Sequence, residues 1–203
     1  MATIRTSESK ALKGKDLITI GIFSAIYFII NFIIMISSGL SPVVWILMPG
    51  IIALLTGVPF MIMVSKVQKT GAVFVMGIIT GLLYFLTGQF TLVILITFVV
   101  SCLIAEIIRF VTNYRSYLGN MLAFVFFSLG MIGSPLPIWL FRDSFFAQIK
   151  EQGMSADYVA NLEAVSSTGM LIVLIVAPII GAVIGGIITK VLFNKHFQKA
   201  GIV

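Results

Sequence analysis

One pair of ionisable side chains in the apolar part of the sequence has a spacing that could support chemistry. Glu106 and Arg109 stand three residues apart near the end of a long apolar run, so on a helix they occupy neighbouring positions. Ionisable groups inside a membrane are costly and are usually kept for function. At this spacing a local ion pair is nevertheless a simpler interpretation than a role in ion coupling, and we expect that pair.

Other residues with catalytic potential are scarce. The single histidine, His196, lies among lysines near the C-terminus, and the single cysteine, Cys102, lies inside an apolar run. One cysteine can form neither an internal disulfide nor a multi-thiolate metal site, so we expect Cys102 to fill space between helices. The sequence contains neither G-x-x-x-x-G-K-S/T nor H-E-x-x-H. We therefore expect no enzyme, cofactor or metal site, and a partner that supplies the energy for any transport.

A second set of residues suits the binding of a small molecule. Aromatic side chains with a few polar groups are typical of small-ligand pockets, and such residues cluster at uncharged turns and in one long hydrophilic segment. Taken singly, each of them fits an interfacial aromatic belt or a solvated loop better than a pocket. Taken together, they predict a pocket beneath a lid. The candidates are Trp45, Gln89, Phe90, Trp139, Arg142, Asp143, Tyr158 and Asn161.

The composition shows which solvent surrounds these residues. The chain has 203 residues, of which 60% are hydrophobic and 10% are charged, and its mean hydropathy is +1.17. A soluble domain could not bury so much apolar surface, so this composition predicts an integral membrane protein. The net charge of +6 fits lysines and arginines gathered at cytoplasmic loops better than nucleic-acid binding.

Six apolar runs are candidates for membrane-spanning helices, since about 20 residues in a helix cross a bilayer. They cover residues 16–36, 43–64, 71–87, 90–110, 118–141 and 168–193. We expect the second to be kinked or broken at Pro49-Gly50 and Gly57-x-Pro59, and the fifth to break between Gly133 and Pro137. The predicted fold is all-α, with six transmembrane helices.

The positive residues predict an orientation. Eleven of the 13 lysines and arginines fall on one side of these six runs, which by the positive-inside rule places both termini in the cytoplasm. We expect a basic tail (1–15), one transmembrane domain (16–199) and a short tail (200–203). The predicted domain includes a long extracellular loop (142–167) between helices 5 and 6, in which Ser155 could open a short helix.

Pairs of small residues predict where helices approach closely. Gly77/Gly81 and Gly181/Gly185 are each one turn apart, and such pairs usually pack helices within one protein. Gly21 and Ala25 form a similar pair on the first helix. We interpret that pair as a docking surface for another protein.

The chain also resembles a known family. Six predicted spans, the opening KGKDLITIGIFSAIYFIINF, the Gly21-x-x-x-Ala25 pair and the second-span pattern PGIIALLTGVPFMIM are similar to S subunits of energy-coupling factor (ECF) transporters. They are most similar to the Trep-Strep family of bacterial integral membrane proteins, which is often described as such S components. In ECF S subunits the small-residue motif is alanine-x-x-x-alanine, so glycine at the first position is a conservative departure.

This resemblance implies a function and partners. An S subunit of this kind binds a micronutrient outside the bacterial plasma membrane, and a membrane coupling (T) subunit with two ABC ATPases drives its release inside. The small-residue pair would contact the coupling subunit. A vitamin-like compound, a metal chelate and a haem-like molecule all remain open as substrates. Two other classes also remain open, namely an intramembrane enzyme and a structural or self-associating small membrane transporter.

Overall fold

The computed structural model describes residues 11–88 and 91–193, and every regular element within these ranges is helical. The all-α prediction is therefore confirmed. The helices are α1 (Gly14–Ser38), α2 (Pro42–Lys66), α3 (Ala72–Leu86), α4 (Leu92–Val111), α5 (Tyr117–Ser128) with a 3-10 continuation (Leu129–Gly133), α6 (Pro137–Leu140), α7 (Arg142–Glu151), α8 (Ala156–Val165) and α9 (Thr168–Leu192).

Four of the described helices, α1, α2, α4 and α9, are long and apolar enough to cross a membrane. The other two predicted spans correspond to shorter apolar helices, α3 and the 117–133 segment. With 15 residues, α3 is about 22 Å long, which is less than the ~30 Å of a bilayer core. The structure thus supports a multi-span membrane protein with four full-length candidate spans.

The central helix is α2, and its main partner is α9. The two backbones touch through glycines, since a Cβ added at Gly57 would lie 2.6 Å from the carbonyl carbon of Gly185. Gly181 meets Gly50 in the same way, which confirms that the Gly181/Gly185 pair packs helices within the protein. Pro49 and Pro59 lie inside α2, which stays helical throughout. Of the predicted kink or break in the second span, the break is therefore wrong, because each proline removes one backbone donor without unwinding this buried helix. The kink stays a prediction.

Close packing also joins α3 to α4. Gly77 lies directly against the Cys102 side chain, which is buried, as expected for a residue that fills space between helices. At Gly81, by contrast, nothing approaches within 4 Å of the position of a Cβ. Only the first glycine of the Gly77/Gly81 pair therefore packs against another described helix.

The hydrophilic segment 142–167 is more ordered than the predicted loop. It forms α7 and α8, and the Ser155 side chain accepts a hydrogen bond from the Tyr158 backbone amide, so the predicted helix start is confirmed. A separate small core holds the two helices together because apolar side chains recur at helical spacing. That core consists of Ile138, Phe146, Ile149, Val159 and Leu162.

Candidate functional site

At the end of the bundle where α2 ends and α3 begins, Arg109 ties helix ends together. Its side chain is fully buried. The guanidinium donates to the Val67 carbonyl (Nη2–O 2.8 Å) and to Asn120 (Nε–Oδ1 3.1 Å). Cations are favourable at the C-terminal end of a helix, where carbonyls lack partners within the helix. Arg109 on α4 therefore closes the end of α2.

Glu106 performs the complementary role at the start of α3. Its two carboxylate oxygens accept hydrogen bonds from the backbone amides of Gly71 (2.7 Å) and Val73 (3.0 Å). A negative charge is favourable at a helix N-terminus. The predicted ion pair with Arg109 is present, but its atoms Nη1 and Oε2 are 3.9 Å apart. The shorter bonds to neighbouring helices are thus the main contacts of both residues.

A further ion pair fixes the beginning of α1 at the same end. Asp16 accepts from the Lys69 ammonium (2.7 Å) and from the Lys13 backbone amide (2.8 Å). We call Asp16, Lys69, Glu106, Arg109 and Asn120 together the polar clamp. The clamp has a structural role, since its short hydrogen bonds to neighbouring elements close or join helix ends.

The opposite end of the bundle holds a cavity of about 570 Å³, a size typical of small-molecule sites. Helices α7 and α8, which we call the lid, form one side of it, and the ends of α1, α2 and α4 form the other. The lining is mostly apolar, with aromatic and methionine side chains. These are Met35, Trp45, Phe141, Phe145, Met154 and Tyr158.

Trp45 is the aromatic centre of this cavity. Its ring stacks on Phe145 of the lid, with centroids 6.0 Å apart and planes inclined by 26°. The indole Nε1 donates to the Ser134 hydroxyl at 3.2 Å, so the ring orientation is fixed from the bundle side. The pair provides a flat aromatic surface that spans the bundle and the lid.

The polar groups of the cavity are uncharged. They come from both the bundle and the lid and comprise Ser38, Thr91, Ser134, Ser144, Gln148, Gln152 and the Tyr158 phenol. Partial burial raises the pKa of Tyr158 above its ordinary value, so the phenol stays protonated and can donate a hydrogen bond. These groups can orient a ligand, but no acid or base among them is suited to catalysis near neutral pH.

The structure brings two of the eight predicted ligand residues, Trp45 and Tyr158, into the cavity lining. Trp139 and Arg142 lie beside it and hold the lid to the start of α9. The Trp139 indole donates to the Ser167 carbonyl (3.1 Å), and Arg142 donates to the Ser166 hydroxyl (2.6 Å). Asp143 and Asn161 are exposed and are not among the lining residues. Gln89 and Phe90 lie outside the described residues.

Sequence reasoning missed most of the polar lining. Gln148 and Gln152 lie one helical turn apart at the end of α7 and line the cavity from the lid. The available signal was the spacing of Phe146 and Ile149, which indicates a helix whose apolar face would place Gln148 beside it. Ser38 and Ser134 gave no comparable signal, because serines at helix ends are common.

The small-residue pair on α1 lies on the surface of the described bundle. Ala25 is exposed, and no atom of another described element lies within 4 Å of the position of a Gly21 Cβ. Exposed isoleucines, including Ile18 and Ile22, surround the pair. Among the described residues, therefore, no helix of this chain covers Gly21 and Ala25.

Comparison with known proteins assigns the family. Residues 14–199 match the model of a family described as hypothetical bacterial integral membrane protein (Trep_Strep). The chain belongs to the Trep_Strep family. This match covers nearly the whole chain and confirms the family part of the resemblance, including the bacterial membrane setting. No curated protein and no solved structure matches the chain.

Proposed function

We propose that this Trep_Strep protein is the substrate-binding S component of an ECF-type importer. The observation that carries the proposal is the aromatic, uncharged cavity beneath the lid. Its volume and lining suit a small organic micronutrient, and the lid could exclude water once a ligand is bound. In this role the chain captures its ligand outside the bacterial plasma membrane and performs no catalysis.

The open face of α1 supports a docking role. Gly21 and Ala25 are small residues among exposed isoleucines, and no atom of another described element lies within 4 Å of a Cβ position at Gly21. Small residues allow another helix to approach closely. We propose that a coupling (T) subunit binds there. Two ABC ATPases would supply the energy, since the sequence of this chain contains no Walker motif.

The proposed topology has six membrane crossings and both termini in the cytoplasm. The contacts of the polar clamp gather the ends of α1, α2, α3, α4 and α5 on one side, and the lid lies at the other end. Single cysteines introduced at exposed Lys66 and Glu151 test on which side of the membrane each end lies. The native thiol of Cys102 is buried, so it should not compete for the label. In intact cells a membrane-impermeant maleimide should label Glu151→Cys and spare Lys66→Cys, and the reverse pattern would invert the topology.

The docking proposal is tested with the double variant Gly21→Leu/Ala25→Leu, co-expressed with an ECF coupling module. We expect co-purification of the module to fall at least about tenfold, a change equivalent to ~1.4 kcal/mol, while a small molecule bound to the chain stays visible by native mass spectrometry. Gly81→Leu is the matched control, since that glycine also faces open space. If the double variant retains the module, or if Gly81→Leu loses it equally, Gly21 and Ala25 are not the contact.

A further inference from the structure

The described residues that line the lid-end cavity carry no formal charge. None of the described lining residues is an aspartate, glutamate, lysine, arginine or histidine. Residues 89 and 90, next to the lining residue Thr91, are glutamine and phenylalanine. An ion that leaves water for such a site finds no opposite charge to offset its desolvation. The lining therefore disfavours charged ligands of either sign.

The charged side chains of the lid lie outside the cavity lining. Arg142 is bonded to Ser166 and lies over the ring of Phe146, 5.2 Å from its centroid. Lys150 pairs with Glu163 (Nζ–Oε1 3.6 Å) on the exposed surface. Asp143, Glu151 and Asp157 are also exposed, and none of these residues lines the cavity. The absence of charge is thus a property of the cavity within a lid that carries several charges.

The lining instead offers stacking and neutral hydrogen bonds. The Trp45–Phe145 pair presents aromatic faces, which favour flat rings. The side chains of Gln148, Gln152 and Tyr158 make no hydrogen bond that the structure records among the described residues. A glutamine amide carries donors and an acceptor side by side. Two such amides one turn apart match the carbonyl and amine edges of a heterocycle.

We propose that the ligand is an uncharged heteroaromatic molecule with carbonyl or amine groups on its ring edge. This inference rests on the proposed function and narrows it. Of the three substrate classes left open by the sequence, it favours a vitamin-like compound. It opposes an anionic metal chelate and a haem-like molecule with carboxylate groups, because neither would meet a positive charge in the cavity.

Affinity-selection mass spectrometry on the purified full-length chain tests this with matched probes. The pairs are nicotinamide with nicotinate, riboflavin with flavin mononucleotide, and adenosine with adenosine monophosphate, so each neutral compound differs from its partner mainly by the charged group. We expect neutral members to be retained at least about tenfold more than their charged partners. The variant Gln148→Glu should reduce that retention about tenfold. Gln68→Glu, an exposed glutamine at the clamp end, should leave it unchanged.

Three outcomes would contradict the inference. Equal or stronger retention of charged members, still lost in Gln148→Glu, would overturn the neutral class and leave the proposed function standing. Equal loss in Gln148→Glu and Gln68→Glu would show that the ligand does not contact the lid amide. Retention of no member, with no co-purified molecule in the wild-type chain, would overturn the inference and the proposed function together.

Discussion

Polar groups serve opposite purposes at the two ends of this helix bundle. In the polar clamp, Arg109 and Glu106 are buried or nearly so, and they bond to backbone groups of α2 and α3. In the lid-end cavity the polar groups are neutral, and Gln148, for example, is exposed. The first arrangement locks helix ends, whereas the second leaves hydrogen-bonding capacity for a ligand. The contrast fits the proposed function, in which one end holds the helices together and the other binds the ligand.

The largest expected effect comes from breaking the clamp. Arg109→Met removes a buried cation and leaves the Val67 carbonyl and the Asn120 amide oxygen without their donor. We expect the free energy of unfolding in detergent to fall by about 3 kcal/mol. Arg115→Met, at an exposed arginine nearby, should change it by less than about 0.5 kcal/mol. Similar losses in both variants would show that the clamp is no more important than surface charge.

A somewhat smaller loss of stability is expected from disturbing the contact between α2 and α9. Gly57→Ala forces a methyl group into the backbone of Gly185, where neither side can yield easily, and should cost about 2 kcal/mol. Gly81→Ala introduces the same methyl group into open space and should be neutral or slightly stabilising. Thermal unfolding of both variants checks this, and equal melting temperatures would contradict the assigned α2–α9 contact.

These regions also differ in how well the sequence predicted them. Long apolar runs identified α1, α2, α4 and α9, because a bilayer permits little else over such lengths. The spacing of Glu106 and Arg109 predicted their ion pair. It could not predict the bonds to Val67 and Gly71, because only the folded chain brings α2 and α3 beside α4.

The lid was only partly predictable. Ser155 indicated the start of α8, since a serine cap is a local signal. α7 was missed because its charges resemble a solvated loop, and the apolar partners of Phe146 lie on α6 and α8. For the cavity, the aromatic character of Trp45 and Tyr158 made them candidates. Gln148 and Gln152 were not, because a glutamine in a hydrophilic segment usually faces water.

The surface ion pair of the lid should contribute little. Lys150 and Glu163 are more than 40% exposed and 3.6 Å apart, and exposed pairs are typically worth less than about 1 kcal/mol. Glu163→Gln should therefore change the melting temperature far less than Arg109→Met does. A comparable shift of the melting temperature in the two variants would contradict the difference proposed between the polar clamp and the lid.

The smallest expected effect is that of pH on ligand binding. Tyr158 is the one titratable group among the described lining residues, and burial raises its pKa. The folded state favours the protonated phenol. The contribution of this phenol to stability and to ligand binding is therefore complete below about pH 10 and is lost as the pH rises further. Retention of the neutral probes should be constant between about pH 5 and about pH 9. A midpoint inside that range would indicate a charged group in the site.

The most direct test of the central claim, capture of a small molecule beneath the lid, uses native mass spectrometry on the detergent-purified full-length chain. An exposed aromatic residue far from the lid provides the control, since Trp45 lines the cavity whereas Phe110, near the end of α4, is 62% exposed and is not among the lining residues. We predict a non-lipid small molecule on the wild-type chain and on Phe110→Ala, and its loss from Trp45→Ala. A chain that carries no such molecule, or a Trp45→Ala variant that retains it fully, would contradict the account.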